Sequence, residues 1–329
     1  MSLAAWFLVH LLVGAIGAWL ARNYARQRQM FDLPDERRSH SVPTPRGGGV
    51  AIAASLLLAS GWLAGQLPGM RPLLAGFGTG LVLVSLVGWI DDHRPLSAWL
   101  RLAAHLLAGL VFAIGTWVQA GDPLATVVAF VAPVVLVNAW NFMDGIDGLA
   151  ATQAILVAVL AAALAGVPLM ALGLALVAST AGFLPWNFPR ARLFLGDVGS
   201  GAIGFAMGAL VAMAVIRGGA MALALVLFPL SAFLLDTGLT LARRILRRER
   251  WWQPHVTHAF QHAARRHGHV NVTLGYAAWT ALAAAGAWLM RDMAFTSLII
   301  SLLPWYAVGA FAWWRIQQRG ATPALEDME

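Results

Sequence analysis

The chemistry-bearing residues are most concentrated in Asn138-Ala-Trp-Asn141-Phe-Met-Asp144-Gly-Ile-Asp147-Gly148. A long apolar run, Val127 to Val137, precedes it, and another starts at Leu149. The polar residues recur at every third position, so on a helical turn Asn138, Asn141, Asp144 and Asp147 would share one broad face. Gly145 and Gly148 let the backbone leave helix geometry and let a ligand approach closely. A charge at bilayer depth costs roughly 2.5–3.5 kcal/mol on insertion scales, so carboxylates kept there read as functional.

Two further clusters carry acids. In Gly88-Trp-Ile-Asp91-Asp92-His93-Arg94-Pro95 the adjacent carboxylates repel, which a divalent cation, a base role for one of them, or both would explain. A helix end protruding into water would explain them equally. Arg101 begins the next apolar run and is open to an anionic ligand or to the interface. In Trp186-Asn187-Phe188-Pro189, then Phe194-Leu-Gly196-Asp197-Val-Gly199-Ser200, the Asp197 carboxylate could hold Mg²⁺ and the N–H groups after it phosphate. An ordinary helix start capped by Asp or Ser is the bland alternative.

The remaining polar segments are basic. His40 and Arg46 stand beside the glycines of Pro43-Thr-Pro45-Arg46-Gly47-Gly48-Gly49, open to a binding role or to a solvated loop; Arg37 and Arg38 read as solvated. His255, His258 and His262 are spaced i, i+3, i+7 and would share a helical face for phosphate or sugar contact or a structural role. A zinc site there lacks a cysteine or a clear acidic fourth ligand. Asp236, inside an apolar run near its end, reads as a structural acid rather than a ligand.

These clusters must be positioned by membrane spans. The chain has 329 residues, 60% hydrophobic and 11% charged, outside soluble-domain averages. Apolar runs near 3–21, 47–66, 72–90, 102–119, 125–141, 148–166, 168–185, 199–216, 220–240, 273–290 and 295–314 suit a hydrocarbon core about 30 Å thick. The fold class is therefore all-α, a single polytopic membrane domain over 1–329 with about eleven transmembrane helices. All 22 basic residues are arginine, and 19 lie in segments 22–46, 91–101, 186–198, 241–272 and 315–329. The positive-inside rule makes those segments cytoplasmic, with a periplasmic N-terminus and a cytoplasmic C-terminus. The first run has no positive residue before it, so it reads as an anchor rather than a cleaved leader. With no cysteine, disulfide and thiolate chemistry are excluded. The +7 charge fits cytoplasmic loops better than nucleic acid.

Asp-Asp, Asn-x-x-Asn-x-x-Asp-Gly-x-Asp-Gly, Phe-x-Gly-Asp-x-Gly-Ser and a late histidine loop, in this order, resemble the polyprenyl-phosphate N-acetylhexosamine-1-phosphate transferases, the superfamily of the MraY and WecA enzymes. The resemblance covers about residues 30–275, and Trp-Asn-Phe-Pro with the His258-Ala-Phe-Gln loop looks most like the WbpL-type enzymes that initiate O-antigen synthesis. It implies transfer of a sugar phosphate from a UDP-N-acetylhexosamine to undecaprenyl phosphate at the bacterial inner membrane, with release of UMP. It also implies Mg²⁺, with Mn²⁺ as a substitute, and leaves a homodimer open.

By the same resemblance Asn141 and Asp197 look like metal ligands, and Asp91 like the acid that deprotonates the lipid phosphate, supported by Asp92 and Asp144. Asp147 and Asn187 look like UDP-sugar contacts, with Asn138, Phe194, His40 and Arg46 also on the substrate side. Arg101 could pair with the lipid phosphate and His255 and His258 with the diphosphate. A lysine common after Asp-Asp in the family is replaced by Arg101, which keeps charge but changes geometry. The rivals are a transporter, which would place polar groups nearer mid-membrane, and a CDP-alcohol phosphotransferase, whose later aspartate pair is absent here.

Overall fold

The computed structural model describes residues 1–32, 42–250, 252–253 and 255–320; His40, Arg37 and Arg38 lie outside them. The described residues form an α-helical bundle: α1 Leu3–Gln27, α2 Val50–Gln66, α3 Arg71–His93, α4 Ala98–Ala120, α5 Pro123–Met143, α6 Leu149–Ala165, α7 Met170–Asn187, α8 Gly196–Leu246, α9 Ala259–His267, α10 His269–Leu289 and α11 Phe295–Gly320. Helices are required because nothing in a hydrocarbon layer can satisfy a bare backbone N–H or C=O. Eight of the described helical stretches are long and apolar enough to cross a membrane. The apolar helices α2 and α6 are shorter, 17 residues each. The 51-residue α8 breaks at Gly219 (φ 58°, ψ −146°) into two apolar halves. Every apolar run expected from sequence is therefore helical, and α9 is a short polar addition.

The first half of α8 is the centre of the bundle: every residue from Val198 to Val215 is buried. Its small residues let neighbouring backbones come close, which is how apolar helices gain packing contact where burial from water supplies no drive. A Cβ on Gly204 would overlap Leu136 and Val137 of α5, and one on Gly208 would overlap Pro133. That close seam holds α5 along α8 and sets the polar end of α5 against the start of α8.

Around this centre, α1 packs on α7, α3 on α4 and α8, and α6 on α7 and α8, with α10 and α11 against the second half of α8. Large apolar side chains of α1, α4 and α11, among them Leu8, Ile16, Ile114, Trp117, Leu303 and Phe311, remain exposed on the outer surface, as lipid contact demands. The segment before α2 forms a two-residue antiparallel pairing, Phe31 with Pro45 and Asp32 with Thr44. It continues along the chain before α8: Phe194 N donates to Pro45 O at 2.8 Å, and Gly48 N and Gly49 N donate to Phe194 O and Leu195 O at 2.9 and 2.8 Å. These bonds carry Arg46 to the mouth of the bundle.

Candidate active site

The helix ends and loops 44–49, 91–101, 141–148, 187–198 and 255–269 converge at one end of the bundle. They enclose an open cavity of about 300 Å³. Four carboxylates, Asp32, Asp92, Asp144 and Asp197, line it together with Asn141, Asn187, Phe194 and two guanidinium groups, Arg46 and Arg265. Segments more than two hundred residues apart thus supply one acidic pocket with basic flanks.

Its floor is the junction of α3, α5 and α8. The Asn141 amide donates to the Asp197 carboxylate, and to Ser200 Oγ at 3.3 Å. The Asp92 carboxylate accepts from Asp197 N at 3.0 Å and Val198 N at 3.2 Å, so it caps α8 from another helix. Gly196 makes that approach feasible: its φ is +75°, and a Cβ there would lie 2.7 Å from Asp92 Oδ2. The expectation that the N–H groups after Asp197 hold phosphate is therefore corrected, because Asp92 already occupies the first of them. Arg46 steadies Asp92 from the other side, donating from Nη2 to its carbonyl, with Nε 4.0 Å from Oδ1. The Arg46 Nε is buried without a hydrogen-bond partner.

The two adjacent aspartates diverge. Asp91 is turned toward α4, where Arg101 Nη1 lies 2.8 Å from Oδ2 and Leu96 N donates to Oδ1. It is buried but does not line the cavity, whereas Asp92 does.

The central stretch departs from the expected shared face. α5 ends at Met143, Asp144 has φ −83° and ψ 56°, and Gly148 has φ +74°. Asn138 and Asn141 are helical, but Asp144 and Asp147 lie on a non-helical turn and point apart. Asp144 faces the cavity; burial first, then the like charges of Asp197 and Asp92, push its carboxyl up to about 8. Asp147 accepts from Ala191 N at 3.2 Å and lies 3.4 Å from His269 Nδ1, which ties the turn to its neighbours and keeps it off the cavity lining. Asn187 also staples the loops, accepting from Gly148 N at 3.0 Å and donating to Leu193 O at 3.1 Å, while one face remains in the cavity wall. Asn138 donates to Val134 O at 2.7 Å, one turn back on its own helix.

The histidine loop is likewise not one helical face. α9 starts at Ala259, so His255 precedes the helix and His258 sits at its N-cap. His258 is buried, stacked between Phe142 and Phe260 with ring centroids 5.9 and 5.8 Å away, and its Nδ1 is 3.4 Å from Asp236. His255 stacks on His258 at 4.9 Å. Burial, with His258 and Arg244 beside it, pushes the His255 imidazole down to about 4, so it is neutral at physiological pH. Neither histidine lines the cavity; Val256, Gln261 and Arg265 do.

Asp236 fulfils the structural role read for it. Buried at 2% exposure, it accepts from Ala259 N at 2.8 Å, Phe260 N at 2.9 Å and Tyr276 Oη at 2.7 Å. A carboxylate at a helix N-terminus satisfies donors the helix cannot. Asp236 is thus the anchor that holds α9 and presents Gln261 and Arg265 to the cavity. Those two residues and Asp32 are the polar cavity residues that sequence reasoning missed. Gln261 and Arg265 stand i, i+4 on one helix, a spacing that flags a shared face once α9 is recognised.

The donors suit a hard divalent cation. All are oxygens, the carboxylates crowd one another, and Asn141 with Asp197 offers a pair on which a cation could sit once the amide presents its oxygen. Among the described residues no three His, Asp or Glu side chains form a cation cage by themselves. Mg²⁺ characteristically takes one or two protein ligands and completes its shell with phosphates and water, so this incomplete donor set fits a cation that arrives with a diphosphate.

The chain is similar to known proteins. The family model described as glycosyl transferase family 4 matches residues 74–215, which include Asp91, Asp92, Asn141, Asp144 and Asp197. Decaprenyl-phosphate N-acetylglucosaminephosphotransferase of Mycobacterium leprae (strain TN) is 31% identical over 245 residues, 64% of this chain and 59% of that protein. Phospho-N-acetylmuramoyl-pentapeptide-transferase of Moorella thermoacetica (strain ATCC 39073 / JCM 9320) is 34% identical over 238 residues, 63% and 72% of the two chains. The probable undecaprenyl-phosphate N-acetylglucosaminyl 1-phosphate transferase of Bacillus subtilis (strain 168) is 28% identical over 272 residues, 77% and 74%. The chain spans 51–59% of the length of the mycobacterial relatives.

Proposed function

Because the chain belongs to glycosyl transferase family 4, the polyprenyl-phosphate N-acetylhexosamine-1-phosphate transferase superfamily, we propose that it moves an N-acetylhexosamine-1-phosphate from a UDP-sugar to a polyprenyl phosphate and releases UMP. The observation that carries the reading is the convergence of Asp92, Asn141, Asp144 and Asp197 with Arg46 and Arg265 at one end of an apolar helix bundle. A lipid phosphate and a soluble nucleotide meet only at such a boundary.

In this reading a proton leaves the lipid phosphate for a carboxylate of the Asp91–Asp92 pair, of which Asp92 lines the cavity, and the freed phosphate oxygen attacks the β-phosphorus of the UDP-sugar. The bond to UMP breaks as the new P–O bond forms. Asp91 lies beside Arg101 at the α3–α4 turn, so the guanidinium both orients the carboxylate and offers charge to the lipid phosphate. Asn141 and Asp197 would hold Mg²⁺, which when bound shields the diphosphate and polarises the leaving group. Asp92 keeps Asp197 in place by capping α8, and Arg46 and Arg265 flank the carboxylates where phosphates would enter. The Asp144 carboxyl, pushed up to about 8, is mostly neutral near pH 7 and would gain charge as a cation arrived beside it. Positioning and charge stabilisation of this kind supply most of phosphoryl-transfer catalysis.

The arginine bias supports a cytoplasmic site in a bacterial inner membrane, and the sequence resemblance supports undecaprenyl phosphate as acceptor and an O-antigen or other envelope polysaccharide as destination. The test is to supply UDP-GlcNAc, UDP-GalNAc, UDP-FucNAc and UDP-QuiNAc, each radiolabelled, one at a time with undecaprenyl phosphate to the purified protein. Mg²⁺-dependent UMP release with labelled lipid is expected for at least one sugar. Uptake into vesicles without UMP release would instead identify a transporter.

A further inference from the structure

A second cavity, about 180 Å³, lies at the C-terminal end of α8, with His262 of α9 in its wall and no lining residue in common with the acidic pocket. Arg243, Arg244 and Arg247 line it with His262, Glu249 and Gln317. Arginines near a helix C-terminus are favourable in themselves because they face its partial negative charge. These three do more, since they converge around a void. Arg244 is held in place by Glu249 at 2.8 Å with its side chain only 12% exposed, and its Nε is buried without a hydrogen-bond partner. Arg243 donates to Gln317 Oε1 at 2.6 Å, and Gln317 donates on to Thr257 O at 2.7 Å, so α11 fixes both the arginine and the loop before α9. Among the described residues no acid pairs with Arg243 or Arg247. Glu249 is the single carboxylate in the lining, which leaves a surplus of fixed positive charge.

The surroundings indicate what kind of anion belongs there. Ile245 and Leu246, between these arginines, are 51% and 84% exposed, and Trp314 of α11 is 47% exposed. Exposed aliphatic and indole groups beside arginines mark the layer where acyl chains meet headgroups.

We propose that this cavity binds the phosphate of an anionic phospholipid headgroup, with the guanidinium groups of Arg243, Arg244 and Arg247 as donors and the acyl chains lying along Ile245 and Leu246. The site is separate from the transfer chemistry and does not depend on it. Because His262 and the Thr257–Gln317 contact belong both to this cavity and to the α9 segment, a bound headgroup also braces the helix that carries Arg265.

The full chain in nanodiscs of dioleoylphosphatidylcholine with increasing fractions of dioleoylphosphatidylglycerol, followed by native mass spectrometry, tests this. The wild type is expected to retain phosphatidylglycerol in preference to phosphatidylcholine, and an Arg243→Gln/Arg247→Gln double variant to bind it roughly ten- to thirty-fold more weakly. Arg250→Gln/Arg266→Gln removes equal charge outside the cavity and is expected to change little. Glu249→Gln frees Arg244 and is expected to tighten binding, a gain that does not depend on the first double variant folding. Equal losses in the two double variants, or no gain in Glu249→Gln, would reduce the cavity to general surface charge and overturn the proposal. Displacement by inorganic phosphate, with no discrimination between the two lipids, would assign it to a soluble anion and overturn the lipid source.

Discussion

Asp236→Asn tests how the bundle positions the cavity-facing side chains of α9. In the native protein Oδ1 accepts from Ala259 N at 2.8 Å and Thr240 Oγ1 at 3.3 Å, and Oδ2 accepts from Phe260 N at 2.9 Å and Tyr276 Oη at 2.7 Å. The amide keeps one acceptor oxygen and turns the other into a donor. The Tyr276 hydroxyl can rotate to accept, but whichever way the amide sits, one backbone N–H of α9 then faces an NH₂ group. A buried donor left unsatisfied costs about 1–3 kcal/mol, and loss of negative charge at a helix N-terminus adds about 1 kcal/mol. About 2–4 kcal/mol should therefore be lost from the docking of α9, raising its open population roughly thirty-fold or more. Hydrogen exchange read by mass spectrometry should show this as faster exchange confined to peptides covering 255–267, with α5 and the first half of α8 unchanged. Tyr276→Phe removes a single bond and should produce the same pattern at about 1 kcal/mol. Unchanged protection of 255–267 in Asp236→Asn would refute the view that this carboxylate anchors α9.

Asp91→Asn and Asp197→Asn are each expected to abolish Mg²⁺-dependent UMP release while the protein still inserts and elutes as the wild type does; normal turnover in purified Asp197→Asn would count against the metal assignment. Arg265→Gln removes an exposed guanidinium from the cavity, so KM for the nucleotide sugar should rise about ten-fold with kcat less affected, a split that steady-state kinetics reads directly. The His255 imidazole is held down to about 4 against an ordinary 6.5, so between those values the unfolded chain binds the extra proton. Stability contributed by neutral His255 is thus present above about pH 6.5 and lost as pH falls toward 4, by about 2 kcal/mol near pH 5. The drop in thermal midpoint from pH 7 to pH 5 should therefore be smaller in His255→Asn than in the wild type.

Much of the architecture was legible in the chain itself. Apolar runs long enough for a bilayer have to be helical, because a lipid-facing backbone has no other way to satisfy its hydrogen bonds. Polar residues interrupting those runs had to gather at the ends, and the spacing of Asn141, Asp144 and Asp197 among glycines named the pocket before its shape was known. The structural duty of Asp236 was also readable, because an isolated acid inside an apolar run needs a partner.

Only the tertiary structure decided which neighbour faces where. Successive residues on a helix point about 100° apart, so Asp91 and Asp92 must diverge, but the positions of α4 and α8 settle which one enters the cavity. The three-residue repeat from Asn138 to Asp147 promised one face; α5 stops at Met143, and Asp147 is then claimed by Ala191 and His269. The histidines share a helical period that the backbone does not follow, since Asp236, placed 23 residues before Ala259, starts α9 one residue after His258. Periodicity reports the conformation a segment prefers alone. The partners that end a helix, cap it or turn a carboxylate lie far away in the chain, and only packing brings them together.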